Sequence, residues 1–122
     1  MKIFLTGGTG FIGSHFINKA LGKGHFVLAL KRSISSQSRI PLKKEPKWLK
    51  KKMTDVTMDD FKDIDVVVHL AAHSANVPYD SLENCIYNNV IYPLQLFRKA
   101  LDAGITKFVV AGSCFEYGKS GE

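Results

Sequence analysis

Residues 6–15 read Thr6-Gly7-Gly8-Thr9-Gly10-Phe11-Ile12-Gly13-Ser14-His15. A short apolar run, Ile3-Phe4-Leu5, precedes them, and a helical pattern follows. Strand, glycine-rich turn and helix in succession is the arrangement that seats a dinucleotide pyrophosphate. Glycine supplies backbone angles that other residues reach only with strain, and it lets a phosphate approach the main chain. The helix beyond would present the unpaired N–H groups of its first residues, Phe11 and Ile12, and its positive dipole end to that anion. Gly13 would let the helix lie close to the first strand. The stretch predicts a cofactor-binding turn, with a structural tight turn as the alternative.

Apolar periodicity carries the reading outward. Lys2 to Thr6 is the first strand, and Phe11 to about Lys23 is a helix with Ile12, Phe16, Ile17, Ala20 and Leu21 on one face. Gly22 and Gly24 end it. Phe26 to Leu30 is a continuous apolar run, as expected of a strand covered on both faces. Ser33 to Lys47 is a polar surface connection. Trp48 to Met53 is a candidate third strand interrupted by lysines, and Thr57 to Phe61 a short helical turn. Asp65 to Leu70 is the fourth strand. Ser81 to Ala103 is a long helix that Pro93 should kink or split before Gly104 stops it. Lys107 to Ala111 is the fifth strand, and Gly112 to Glu122 reads as loop. Alternating strands and helices predict an α/β, doubly wound parallel sheet of order 3-2-1-4-5, truncated after strand five, in one incomplete domain spanning 1–122.

At 122 residues and 45% apolar content the chain is one domain at most. No apolar run reaches the length of a membrane span, and strand one begins too soon for a signal peptide. Cys85 and Cys114 read as buried free thiols, which points to the cytoplasm. Charge is lopsided. Residues 1–52 carry twelve Lys and Arg against Glu45 alone, net +11; the remainder carries five against ten acids, net −5, giving the overall +6. The lysine-rich stretch at 43–52 has one aromatic residue and no nucleic-acid-binding pattern, so a solvated connection is expected over a nucleic-acid patch. No residues offer metal-ligand spacing. His69 and His73 read as satisfied structural histidines.

The end of strand two bears on the choice of cofactor. In this fold that position meets the adenosine ribose, where an acid pairs the hydroxyls of NAD and an arginine accepts the 2′-phosphate of NADP. Here it holds Lys31 and Arg32, with no acid from Leu30 to Ile40. NADP is therefore expected over NAD.

The spacing Thr-Gly-x-x-Gly-x-x-Gly through Gly7, Gly10 and Gly13 recurs with four further motifs: Asp55-Val56, His69-Leu70-Ala71-Ala72, Asn88-Asn89-Val90 and Ser113-Cys114-Phe115-Glu116-Tyr117-Gly118. Together they resemble the extended short-chain dehydrogenase/reductases, the NAD(P)-dependent epimerase/dehydratase group, along all 122 residues. The resemblance implies a Rossmann-type domain in which Asp55 and Val56 contact the adenine. Leu70, Ala71 and Ala72 would pass beside the cofactor, and Asn89 would brace the loop after strand four. Ser113 would be the catalytic hydroxyl, bonded to the reacting oxygen of the substrate. It also implies a nucleotide-sugar substrate held by a C-terminal part not present here, and leaves a homodimer of the full-length protein open.

Two departures matter. The group's usual Gly-Thr after the Asn-Val pair is Tyr92-Pro93, and Gly112 replaces the first of two serines. The catalytic Tyr-x-x-x-Lys is missing: four residues beyond Tyr79, Tyr87, Tyr92 and Tyr117 stand Glu83, Ile91, Leu96 and Gly121. The chain is expected to be the inactive N-terminal half of a nucleotide-sugar epimerase or reductase. It is also expected to be marginally stable, with the face near Phe108 and Val110 uncovered. Cys114-Phe115, where 4,6-dehydratases carry Asp-Glu, argues against that reaction. The alternatives are a cofactor-binding sensor or scaffold without chemistry and, more remotely, a basic nucleic-acid module using residues 31–52.

Overall fold

The computed structural model describes residues 1–121, and the side chains of all of these but 114, 115, 120 and 121. Five strands, β1 (Lys2–Thr6), β2 (Phe26–Lys31), β3 (Lys47–Lys50), β4 (Val66–His69) and β5 (Phe108–Val110), form one sheet in the order β3-β2-β1-β4-β5. Every neighbouring pair is parallel, with Ile3 opposite Val27 on one side and Val66 on the other. Among the described residues the α-helices are α1 (Phe11–Gly22), α2 (Leu82–Ile86) and α3 (Tyr92–Asp102).

Strand alternation explains the two-faced core. Ile3, Leu5, Val27, Ala29, Val66 and Val68 point to one face and pack on Ile17 and Ala20 of α1. Phe4, Leu28, Leu30 and Val67 point to the other, against Leu96 and Ala100 of α3, with Val56 and Phe61 closing that side. Successive strand residues face opposite ways, so apolar runs without alternation are what a doubly covered parallel sheet demands. Phe4, Leu5 and Ile17 have no exposed surface, each side chain contributing roughly 1.5–3 kcal/mol by leaving water. Both long helices end in the same paired closure. His25 and Gly24 N–H groups donate to Ala20 and Leu21 carbonyls, as those of Ile105 and Gly104 do to Ala100 and Leu101.

Several elements depart from the sequence reading. Strand β3 stops at Lys50 instead of Met53, because the chain turns into a 3-10 turn at Met53–Asp55. Its lysines do not spoil it: β3 is an edge strand, and Lys47 and Lys50 face solvent, where charge blocks further pairing. The long helix is interrupted ahead of Pro93, not at it. A wider π-type turn at Tyr87–Ile91 joins α2 to α3, and Pro93 sits in the first turn of α3, where its missing N–H costs least. Cys114–Gly121 winds into 3-10 turns broken at Gly118, not an open loop. Cys85 is half-buried and free; Cys114's thiol and the Cys114–Phe115 pair fall outside the described side chains. Phe108 is half-buried, its ring edge-on to Phe97 at 5.6 Å, and the exposed pair on β5 is Val109 and Val110. Among the described residues no helix is long and apolar enough to cross a membrane.

Candidate functional site

The chain leaves β1 for a helix on one face and β4 for a helix on the other, so a crevice opens between their C-terminal ends. The glycine turn forms its floor. Gly7 has φ +74°, and a Cβ there would lie 2.6 Å from the Ala71 nitrogen. A Cβ on Gly13 would overlap the Gly7 carbonyl. The turn, the start of α1 and the end of β4 thus touch backbone to backbone. Buried Ser14 locks them: its hydroxyl donates to the Gly10 carbonyl at 2.7 Å and also faces that of Gly8 at 3.3 Å. Helix α1 follows its N-cap Gly10 with no side-chain cap and no acid in its first turn, so neither neutralises its positive end. Phe11 and Ile12 are exposed over that end.

The cleft encloses about 710 Å³. Lys31, Arg32, Met53 and Thr54 line one end, the glycine turn with Leu70, Ala71 and Ala72 the middle, and His73, Asn88 and Tyr92 the other end. It therefore gathers Gly7, Gly10, Phe11, Ile12, Gly13, Lys31, Arg32, Leu70, Ala71 and Ala72 from the sequence-derived set. Lys31 places its ammonium 4.6 Å from the centre of the Trp48 ring, which draws that charge toward β3. Arg32 is exposed and takes part in none of the ion pairs among the described residues. The connection at 33–46 is held over the turn. Arg39 N–H donates to the Thr9 carbonyl at 3.0 Å, and Asn18 bonds Pro41 O at 3.1 Å and Lys43 N–H at 2.9 Å.

Four of the sequence-derived residues, Asp55, Val56, Asn89 and Ser113, lie off the lining. The turn at Met53–Asp55 carries the chain inward, so Val56 is 1% exposed in the core and its carbonyl accepts from Lys99 Nζ at 2.8 Å. Asp55 is exposed beside it, and Met53 and Thr54 form the wall instead. Ser113 is exposed just beyond β5, its carbonyl accepting from Glu116 N–H at 3.1 Å.

Two histidines anchor the far wall. His69 is buried, its Nδ1 2.7 Å from Thr6 Oγ1 and its ring edge-on to Phe97 at 5.3 Å. Burial pushes its pKa down and keeps it neutral. Thr6 Oγ1 also accepts from Ala71 N–H at 3.3 Å, tying the two strand ends together. His73 is pinned through its backbone: its N–H donates to Asn89 Oδ1 at 2.8 Å and its carbonyl accepts from Asn89 Nδ2 at 3.0 Å. Asn89 itself stands behind the lining as a brace. The His73 ring bonds Asp80 through Nε2 at 2.7 Å. Asp80 also accepts from Ser81 N–H and Asn84 Nδ2, and the hydrogen bond from His73 foremost holds its carboxyl below the usual range. Thr6 and Asn88 stand in the quoted motifs without a role there, and sequence spacing missed Ser14, Tyr92 and the role of Asp80. For Tyr92 the signal was its helical i, i+4 spacing from Asn88.

Comparison with known proteins agrees with this geometry. Residues 3–122 match the NAD dependent epimerase/dehydratase family. A putative UDP-glucose 4-epimerase of Methanocaldococcus jannaschii is 31% identical over 117 residues, 91% of this chain and 37% of that protein. The structure of TunA, an NAD dependent NDP-hexosamine 5,6-dehydratase involved in tunicamycin biosynthesis, superposes with TM-score 0.81 at 31% identity. It matches 98% of this chain and 39% of its own. MoeE5 in complex with UDP-glucuronic acid and NAD gives TM-score 0.81 at 28% identity, over 97% of this chain and 38% of that one. The chain thus spans well under half the length of each of the three.

Proposed function

The chain belongs to the NAD-dependent epimerase/dehydratase family, and on that premise we propose that it is the cofactor-binding part of a nucleotide-sugar epimerase or reductase. The carrying observation is the turn at Gly7 and Gly13, packed so closely that no Cβ fits, opening into a cleft of about 710 Å³ that runs from Arg32 past the turn to Asn88. A pyrophosphate fits over Gly10 and the uncapped start of α1, where N–H groups and the helix dipole favour an anion. Leu70, Ala71 and Ala72 leave space beside it, and Met53 and Thr54 wall the adenine end, with Asp55 and Val56 next to them in the chain. A bound nicotinamide supplies hydride exchange with a sugar carbon. Ser113 is assigned to bond the reacting oxygen of that sugar. Without a Tyr-x-x-x-Lys pair, these 122 residues alone turn over no substrate, and substrate binding falls to a C-terminal part of the whole protein.

The preferred cofactor in this reading is NADP. Arg32 at the adenosine end has no acid beside it from Leu30 to Ile40, and a guanidinium grips a 2′-phosphate at two points. One such charge-assisted contact is worth roughly 1.5–3 kcal/mol, about 10–100-fold in affinity. Calorimetric titration of the chain with NADP and NAD tests it. NADP should bind tighter by that factor, and Arg32→Ala should erase the difference. Equal binding of both cofactors, or an unchanged preference in the variant, refutes the assignment. The free Cys85 thiol supports a cytoplasmic protein. Exposed Leu82, Ile86, Val90 and Leu94, four residues apart along one helical stripe, support self-association of the full-length protein.

A further inference from the structure

We propose that Lys99 of α3 is a positioning residue: from outside the cleft, its ammonium holds the turn at Met53–Asp55 in the shape that walls an adenine. The proposal rests on the dinucleotide reading above and extends it to a residue that lies off the cleft lining.

The sequence offers Lys99 an ordinary role. It stands in the last turn of α3, where a cation suits the negative end of the helix dipole. The structure sends it elsewhere. Its side chain leaves α3 for the connection after β3, where Nζ donates to the Thr54 carbonyl at 3.3 Å and to the Val56 carbonyl at 2.8 Å. Among the described residues no backbone N–H donates to either carbonyl, and Lys99 joins no ion pair. One ammonium therefore serves both carbonyls. The turn has little else to hold it. It is three residues long, with two backbone bonds: Asp55 N–H to the Lys52 carbonyl at 3.0 Å and Val56 N–H to that of Met53 at 3.4 Å, the second a long one. A lone 3-10 turn has poor hydrogen-bond geometry. This one nevertheless carries two cleft-lining residues, Met53 and Thr54. Thr54 belongs to both sides: it lines the cleft, and its carbonyl accepts from Lys99. Losing the ammonium leaves two carbonyls without a donor, and the bond to Val56 is part-buried. They regain hydrogen bonds by turning toward water, and that rotation carries Met53 and Thr54 with it.

The test compares wild-type chain with Lys99→Met, which keeps most of the stem and removes the donor, and with Lys99→Arg, which keeps the charge and the donors. The first readout needs no ligand. Amide hydrogen exchange at Asp55 and Val56 should be about 3–10-fold faster in Lys99→Met, the factor of one lost hydrogen bond, with exchange at Ser14 unchanged. The second readout is calorimetric affinity for ADP and for inorganic pyrophosphate, which reaches the glycine turn and carries no adenine. Lys99→Met should bind ADP about 3–10-fold more weakly and pyrophosphate as wild type does. Lys99→Arg should restore both readouts. Unchanged exchange at Asp55 and Val56 overturns the proposal. Equal loss for ADP and pyrophosphate overturns it too, because a missing charge or a damaged fold would produce that pattern. So does a Lys99→Arg chain that behaves like Lys99→Met. Faster exchange in Lys99→Met, in a chain whose wild type binds no ADP, shows that the brace exists and the dinucleotide reading has failed; the positioning role then falls with that reading.

Discussion

Replacing Thr6 by valine should destabilise the chain by about 1–3 kcal/mol, although the two side chains have nearly the same shape. Thr6 is 1% exposed and His69 6%. The hydroxyl bonds His69 Nδ1 at 2.7 Å and accepts Ala71 N–H at 3.3 Å. Leaving the buried imidazole nitrogen unpaired costs roughly 1–3 kcal/mol. The long, part-buried contact to Ala71 adds roughly 0.5 kcal/mol, and the new methyl returns about 0.8 kcal/mol by burial. The assay is urea unfolding followed by Trp48 fluorescence, comparing midpoints at constant slope. A companion cycle isolates the pair: in a His69→Leu background the same Thr6→Val change should cost far less, leaving a coupling of about 1–2 kcal/mol. A loss under about 0.5 kcal/mol, the size of an ordinary surface change, would refute the reasoning. So would strict additivity with His69→Leu.

Stability should also fall with acidification in two stages. His69, its pKa pushed down by burial, refuses a proton that the unfolded chain accepts below about pH 6.5, so unfolding gains as pH drops through that value; His69→Leu should remove this first limb of a urea-midpoint titration. Burial alone would raise Asp60, but the Lys51 ammonium and the Thr57 N–H outweigh it and hold the carboxyl low, so the second loss begins below about pH 4 and is smaller in Asp60→Asn, where only other low carboxyls such as Asp80 still contribute. Gly13→Ala should abolish nucleotide binding, because its Cβ overlaps the Gly7 carbonyl and forces α1 off the turn; ADP affinity within about twofold of wild type, on the scale of one neutral hydrogen bond, would contradict that.

Much of the fold was legible in the residues because local and global demands coincide. The runs at Phe26–Leu30 and Asp65–Leu70 lack alternation since both sheet faces are covered, and the glycines at 7 and 13 stand where only glycine fits. What escaped was information held in tertiary neighbours. Lys47 and Lys50 look hostile to a strand until β3 proves to be an edge. Asp55 and Val56 match a motif, but nothing in that pair foretells the 3-10 turn that carries the Val56 side chain into the core. His73 meets Asp80 across an irregular loop that has no period to read.

The tyrosine and proline at 92 and 93 bear on the site as well as on the helix. Pro93 has no N–H for the carbonyl four residues back, which is that of Asn89. The wide turn at Tyr87–Ile91 absorbs this mismatch between α2 and α3, and Asn88 and Tyr92 line the cleft while Asn89 reaches the backbone of His73. Strand β4 is thereby held from two directions: Thr6 fixes its last residue to β1, and Asn89 fixes the loop beyond it to the helix. Leu70, Ala71 and Ala72 lie between these anchors and cannot sag into the space a ligand would need. A wall fixed before binding loses little conformational freedom on binding. That is the physical sense in which a departure from the usual Gly-Thr at this position is compatible with a working cleft.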